Sequence, residues 1–414
     1  MTASTNELPT DATSHEGPET VPGLDRKDRI LALLAGDLRA LPIAAGLIVL
    51  GLFFASQSAP FLTSRNLSNL IVQSVVTGII ALGLIFVLLL GEIDLSVAAT
   101  SGATAVFMAK LVVDQGLSVW LAVGGGVLAG LLIGAVVGFW ITRFDVPSFV
   151  VTLGAGLILG GVQLLLLPAT GRYNLLGTGV DKIADTYIVG VGSWLVWLVA
   201  VASLAALRYS SYRRKLTHGL ASSLVRDVLL PVAMLGVLTA VLVWVLNGYR
   251  GIPMPVIVFA VLLSVAGFFV TETAFGVHLY AVGGSGEAAL RAGINVPRVK
   301  ITSFALAGAL AAIAGIIAAS RILGVSVSSG GGVGGGTLLL DSIAAAVIGG
   351  VSLFGGRGRV SGALLGALII GTVSNGLNLM GVDTQVKYIV TGSLLVLAVT
   401  LDCYIERQTS TGGR

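Results

Sequence analysis

Long apolar runs, broken by short polar stretches, make up most of the chain. Within them apolar residues follow one another without the period-two alternation of a half-buried strand. Lipid admits only helices or closed barrels, so each run predicts a membrane-spanning helix. Charge-free intervals place these at Ala40–Ala59, Asn66–Leu90, Leu95–Val113, Leu117–Thr142, Pro147–Pro168 and Ile188–Leu207. They continue at Val228–Leu246, Pro253–Thr271, Ile301–Ser320, Thr337–Phe354, Val360–Leu379 and Gln385–Leu401. The expectation is an all-α polytopic membrane protein with about twelve spans of roughly 17–25 residues. Leu95–Val113 is short and has Lys110 near its end, and Thr337–Phe354 contains Asp341. Between the fifth and sixth runs, Ala169–Tyr187 carries Gly, Asn, Asp and Thr and is expected to leave the membrane.

Residues 1–39 are polar and mixed in charge, with no apolar core followed by a small-residue cleavage site. They predict a disordered cytoplasmic tail rather than a removed signal peptide. Residues 40–402 form the transmembrane domain in this reading, and 403–414 a second cytoplasmic tail.

Composition supports the membrane class. The 414 residues are 55% hydrophobic and 11% charged, with mean hydropathy +0.98, more apolar surface than a soluble domain needs. One cysteine, Cys403, excludes an internal disulfide framework and a cysteine zinc site. His15, His218 and His278 show no ligand spacing, and no metal site is expected. The net charge of +4 comes from loop residues, so it reads as membrane topology and not as nucleic-acid binding.

The same loops set orientation. With both termini inside, the outer side holds only Arg65, Lys110, Arg172, Lys182, Arg250, Arg321 and Lys387 of the 24 basic residues. Positive charge accumulates on the cytoplasmic side, so both termini and the stretch Thr271–Lys300 are expected there.

That stretch, between two spans, encodes one short helix. Ser285 is placed to cap its N-terminus, followed by Gly286 and by Glu287 in the first turn. Arg291 lies in the last turn, i,i+4 from Glu287, and Gly293 suits the left-handed residue that ends a helix. Ala288, Ala289 and Ala292 leave one face with little bulk, which another surface could approach closely. Two readings stand at this point: an amphipathic helix resting on headgroups, and a lever through which a second protein moves the membrane domain.

Glycine is abundant, at 57 residues, and recurs every four positions at Gly126, Gly130, Gly134 and Gly138, and again at Gly358, Gly362 and Gly366. Such ladders allow close backbone packing, within one chain or between subunits. Ser328–Gly336 contains a formal G-x-G-x-x-G, but no strand precedes it, and it reads as a flexible external turn. There is no Gly-Lys dipeptide, hence no phosphate-binding loop of the Walker type, and no H-E-x-x-H or G-x-S-x-G motif. Any ATP would be bound by another chain. Glu92 and Asp94, in GEIDLS, and Asp341 are carboxylates near the hydrocarbon region, read as capping or loop-bonding groups, Asp94 as a cap for the third span. A proton relay would need partners in series, which are missing.

Five stretches together resemble the permease subunits of bacterial monosaccharide ABC importers. They are IIALGLIFVLLLGEIDLSVAATSG (Ile79–Gly102), VPSFVVTLG (Val146–Gly154), FGVHLYAVGGSGEAALRAGINVPRVK (Phe275–Lys300), LDSIAAAVIGGVSLFGGRGRVSGALLGALIIG (Leu340–Gly371) and NGLNLMGV (Asn375–Val382). Ribose-type members have about ten helices. The additional pair Ile188–Leu207 and Val228–Leu246, and Glu92 where many members carry glycine, resemble the xylose-type branch. Ala98 departs from the glycine of many relatives. The resemblance implies a homodimeric permease in the bacterial inner membrane, served by ATPase subunits that bind ATP and Mg and by an external sugar-binding protein. It makes Ser285–Gly293 the ATPase-coupling helix. Gln73, Asn375 and Asn378 are candidate pathway-lining groups, or equally interhelical hydrogen-bonders. D-xylose is the expected sugar. A proton-coupled secondary transporter is the alternative, and a membrane enzyme is disfavoured by the missing catalytic constellation.

Overall fold

The computed structural model describes residues 40–220, 222–331 and 336–411. The chain separates into Met1–Pro42 and Ile43–Arg414; of the first unit only residues 40–42, all helical, are described. The predicted tail 1–39 lies outside the described residues, as do 332–335 of the glycine-rich turn.

Helices in order are α1 (Ala40–Gln57), α2 (Ser64–Leu88), α3 (Val97–Val113), α4 (Val119–Phe144) and α5 (Ser148–Leu166). A strand β1 (Arg172–Asn174), a short α6 (Asp181–Asp185) and β2 (Tyr187–Ile188) follow. Then come α7 (Val191–Thr217), a π-turn (Val225–Leu229), α8 (Leu230–Asn247), β3 (Ile252–Pro253) and α9 (Met254–Glu272). Two short helices, α10 (Ala274–Gly284) and α11 (Gly286–Arg291), precede α12 (Val296–Arg321) and β4 (Gly324–Ser326). The chain closes with α13 (Gly336–Ile348), α14 (Gly362–Leu379) and α15 (Thr384–Thr411).

Among the described residues, eight helices are long and apolar enough to cross a membrane: α2, α4, α5, α7, α8 with its π-turn, α9, α12 and α14. Shorter apolar helices occupy Ile43–Gln57, Val97–Val113, Thr337–Ile348 and Thr384–Thr400. Every predicted run is therefore helical, with altered ends. The run Thr337–Phe354 stops at Ile348, because Gly350 (φ +86°) turns the chain away. In α7 the helix continues ten residues past Leu207, carrying Arg213, Arg214 and Lys215 into its last turns, where cations suit the dipole. Five residues earlier than expected, α12 begins at Val296, since Asn295 Oδ1 accepts from Arg298 N at 3.1 Å and Pro297 fits the first turn. Residues 403–411, expected as tail, are a continuation of α15.

The core is built on α2, whose residues Ile79–Ile85 are almost wholly sequestered, and on α12, which packs antiparallel beside it. With 25 residues, α2 extends about 37 Å. The glycine ladder of α4 lies against α12 within the same chain: a Cβ at Gly138 would come 2.9 Å from Ile301 Cα, and Gly130 faces Gly308. The second ladder works similarly, Gly362 meeting Gly349 and Gly366 meeting Ala345 between α14 and α13. The pair α7–α8 is peripheral, pinned by Trp197 Nε1 to Gly236 O and Thr239 Oγ1, both at 3.1 Å. Two small antiparallel ladders fasten the expected loop Ala169–Tyr187. One pairs Tyr173 with Val325 past the end of α12, and the other pairs Tyr187 with Pro253 before α9.

Candidate functional site

The helix α11 forms as its end signals dictate. Ser285 is extended (φ −164°, ψ 106°), and its Oγ accepts from Ala288 N at 3.2 Å. Gly293 takes φ +84°, and its N–H reaches Leu290 O at 3.0 Å. Glu287 and Arg291 meet at 3.5 Å with side chains 89% and 83% exposed, so water screens the pair and it adds little to stability.

One expectation needs correcting. The alanines do not form a single open face. Ala289 is 4% exposed and turned into the protein's own core, while Ala288 and Ala292 are exposed. What projects outward is Leu290, 63% exposed, flanked by Glu287 and Arg291. A large apolar side chain so exposed on a polar loop is a surface another protein could cover. The sequence reading missed Leu290 because a helix of six residues is too short for its apolar period to reveal which side is outward.

Next to α11 three backbone segments lock together. Gly356 N donates to Leu89 O at 2.8 Å. A Cβ at Gly283 would overlap Leu89 O and lie 2.7 Å from Gly356 N, so α10, the end of α2 and the α13–α14 loop touch backbone to backbone. Tyr280 donates its hydroxyl to Gly358 O at 2.7 Å, and burial raises the phenol above its ordinary pKa. Glu92 pairs with Lys300 in a half-buried ion pair that joins the GEIDLS loop to the first turn of α12. Ile93 N donates to Ser148 Oγ at 3.2 Å, and Thr152 donates back to Ile93 O at 3.3 Å.

Asp94 Oδ1 accepts from Ser96 N at 2.8 Å and from Ser96 Oγ at 2.6 Å. It thus steadies the start of α3 from two residues before the cap position, which Ser96 itself occupies. Burial pushes this carboxyl up, and the Ser96 hydrogen bonds oppose that. Four of the five quoted stretches thereby meet at one end of the bundle. Neither the partner of Glu92, 208 positions away, nor the Gly283–Gly356 contact carries a local sequence signal.

The other candidates lie elsewhere. Asp341 sits inside α13 rather than at its opening, and its Oδ1 has no hydrogen-bond partner among the described residues. Asn375 is buried in a reciprocal amide pair with Asn66, at 2.9 and 3.0 Å, which ties α14 to α2. Gln73 Nε2 donates to Ser374 Oγ at 3.1 Å across the same two helices. Asn378 is exposed and accepts from Lys387 Nζ. Gln73 and Asn375 therefore act here as interhelical hydrogen-bonders. Among the described residues no group of three His, Cys, Asp or Glu is placed to hold a metal. The arrangement offers a mechanical linkage: α11 packs on α12 and is joined through α10 to the end of α2, and α2 and α12 are the helices at the centre of the bundle.

Residues 66–399 match the family described as branched-chain amino acid transport system / permease component. The chain is similar to the xylose transport system permease protein XylH of Escherichia coli (strain K12), 36% identical over 295 residues, 71% of this chain and 75% of that one. XylH of Haemophilus influenzae (strain ATCC 51907 / DSM 11121 / KW20 / Rd) is 37% identical over 286 residues, covering 68% and 75%. The ribose import permease protein RbsC of Escherichia coli (strain K12) is 31% identical over 287 residues, covering 69% and 71%. No solved structure matches the chain.

Proposed function

The chain belongs to the branched-chain amino acid transport system / permease component family, and from that premise we propose that it is the membrane-spanning subunit of an ATP-driven monosaccharide importer. Relatives of this chain are named for xylose, arabinose and ribose, and the two xylose permeases described above are 36% and 37% identical to it, so D-xylose is the first candidate sugar. The protein is a multi-pass component of the bacterial cytoplasmic membrane. In this reading α1, α3, α13 and α15 join the eight longer helices to give twelve spans, with both termini in the cytoplasm.

The observation that carries the proposal is α11: Leu290 between Glu287 and Arg291, exposed, on a mount that cannot yield at Gly283. A cytoplasmic ATPase subunit docks there and binds ATP and Mg itself. A second copy of this chain completes the membrane part, and an external binding protein delivers sugar at the opposite end. Closure of the ATPase pair moves α11, and the backbone joints carry that movement into α2 and α12.

Deleting Ser285–Ala292, or making Glu287→Lys, is expected to abolish sugar uptake and co-purification of the ATPase subunit while membrane insertion persists. Undiminished uptake by the deletion variant would contradict the proposal. Uptake of labelled xylose and ribose by the reconstituted complex decides the sugar.

A further inference from the structure

The end of the bundle opposite α11 is open. A cavity of about 660 Å³ lies between the first half of α2, the α6–β2 segment, the turn before β3 and the end of α12. That volume is typical of small-molecule sites. Its frame is rigid: Ala184 N donates to Ser320 Oγ at 2.8 Å, Ser320 Oγ donates to Val180 O at 2.6 Å, and Met254 N donates to Thr186 O at 2.9 Å.

The lining groups fall into two kinds. Asp185 and Arg250 satisfy each other through a two-pronged contact, 2.6 and 3.2 Å, with the guanidinium 4.3 Å from the Tyr187 ring centroid. These form a finished wall. The Asn69 amide, the Tyr249 hydroxyl and the Arg321 guanidinium also line the cavity, and none makes a hydrogen bond among the described residues. Together they offer donors and acceptors, with one aromatic face 39% exposed at Tyr249.

We propose that this cavity binds a monosaccharide, held by hydrogen bonds from Asn69, Tyr249 and Arg321 to sugar hydroxyls and by packing of the sugar's C–H face on Tyr249. A sugar hydroxyl both donates and accepts, so it uses such a mixed set fully. The lining holds the carboxylates Asp181 and Asp185 and the cations Lys182, Arg250 and Arg321, so charges of both signs surround a ligand and a neutral polyhydroxyl suits the mixture. The site is the point where sugar released by the binding protein is received, and in that respect it rests on the function proposed above.

The test uses the permease with its ATPase subunits in lipid nanodiscs, without the external binding protein, with D-xylose as probe and saturation-transfer NMR as readout; binding-protein association is measured separately. Saturable transfer is expected in the parent. Arg321→Gln and Tyr249→Leu should each weaken it about tenfold, the loss of one or two hydrogen bonds. Arg65→Gln, on an exposed residue outside the cavity, should leave it unchanged, as should co-purification of the ATPase subunit in all variants. Equal affinity in parent and variants overturns the site, as does the absence of a saturable signal in the parent. Loss of binding-protein association with the sugar signal intact also overturns it, and would make the cavity a protein-docking surface. Labelled uptake by the parent reads the importer function separately: uptake unaffected by the variants sinks the site and leaves the function standing.

Discussion

At Leu89, α2 ends in a joint where Gly283 and Gly356 bring two other backbones against it, with no space for a methyl group. At Asn69, near its other end, the same helix borders a cavity of about 660 Å³. One helix therefore has a closed, backbone-built end and an open, side-chain-lined end. Backbone contacts have no rotamers to absorb displacement, so the closed end suits transmission of force. The open end suits a solute that must enter and leave. Between them α2 and α12 are sealed by small-residue packing, as at Gly83 and Ala307.

The largest effect should come from spoiling the closed end. Gly283→Leu would drive a side chain into Leu89 O and Gly356 N. We expect a loss of about 3 kcal/mol or more and little monodisperse protein in detergent, measured by size-exclusion yield and thermal unfolding. Next is the outward face of α11. Leu290→Asp leaves the joint intact, so stability should stay within about 0.5 kcal/mol of the parent. Its affinity for the ATPase subunit should fall by about 2 kcal/mol, roughly thirtyfold, in a pull-down titration. A stability loss as large as that of Gly283→Leu would erase the distinction between mount and contact.

Much of this was legible in the residues, and the rest was not for definite reasons. Charge-free runs located the long helices, because a membrane span needs continuous apolar sequence and little else. Ser285 and Gly293 marked the ends of α11 through local rules that hold without tertiary context. The direction in which Ala289 points depends on what α11 packs against, and so did the role of Lys300. The open end carries no local sequence signal, since Asn69, Tyr249 and Arg321 are far apart in the chain and share no motif. Glycine spacing correctly suggested close packing, but only the three-dimensional arrangement identified α12 of the same chain as the partner of α4.

A smaller change lies toward the open end. Asn375→Ala would leave the buried Asn66 amide without its partner, and about 1–2 kcal/mol of stability should be lost. Asn375→Asp, which keeps the shape but not both donors, separates packing from hydrogen bonding in the same melting assay.

Smallest is the rim beside β1. There Lys110, at 2.8 Å, and then the Tyr173 hydroxyl, at 2.6 Å, hold Asp114 below the usual carboxylate range. A carboxylate with a lowered folded-state pKa contributes stability above the ordinary value of about 3.9 and loses it as pH falls through the lowered value. Asp114→Asn should therefore melt slightly below the parent at neutral pH and converge with it in strong acid.

The most direct measurement uses the single cysteine to advantage. With Cys403→Ser as background, Leu290→Cys is exposed to a membrane-impermeant maleimide in intact cells and in inside-out vesicles. We expect labelling only in the vesicles, and protection there when the ATPase subunit is bound. Labelling from outside intact cells would place α11 on the wrong side of the membrane and contradict the account.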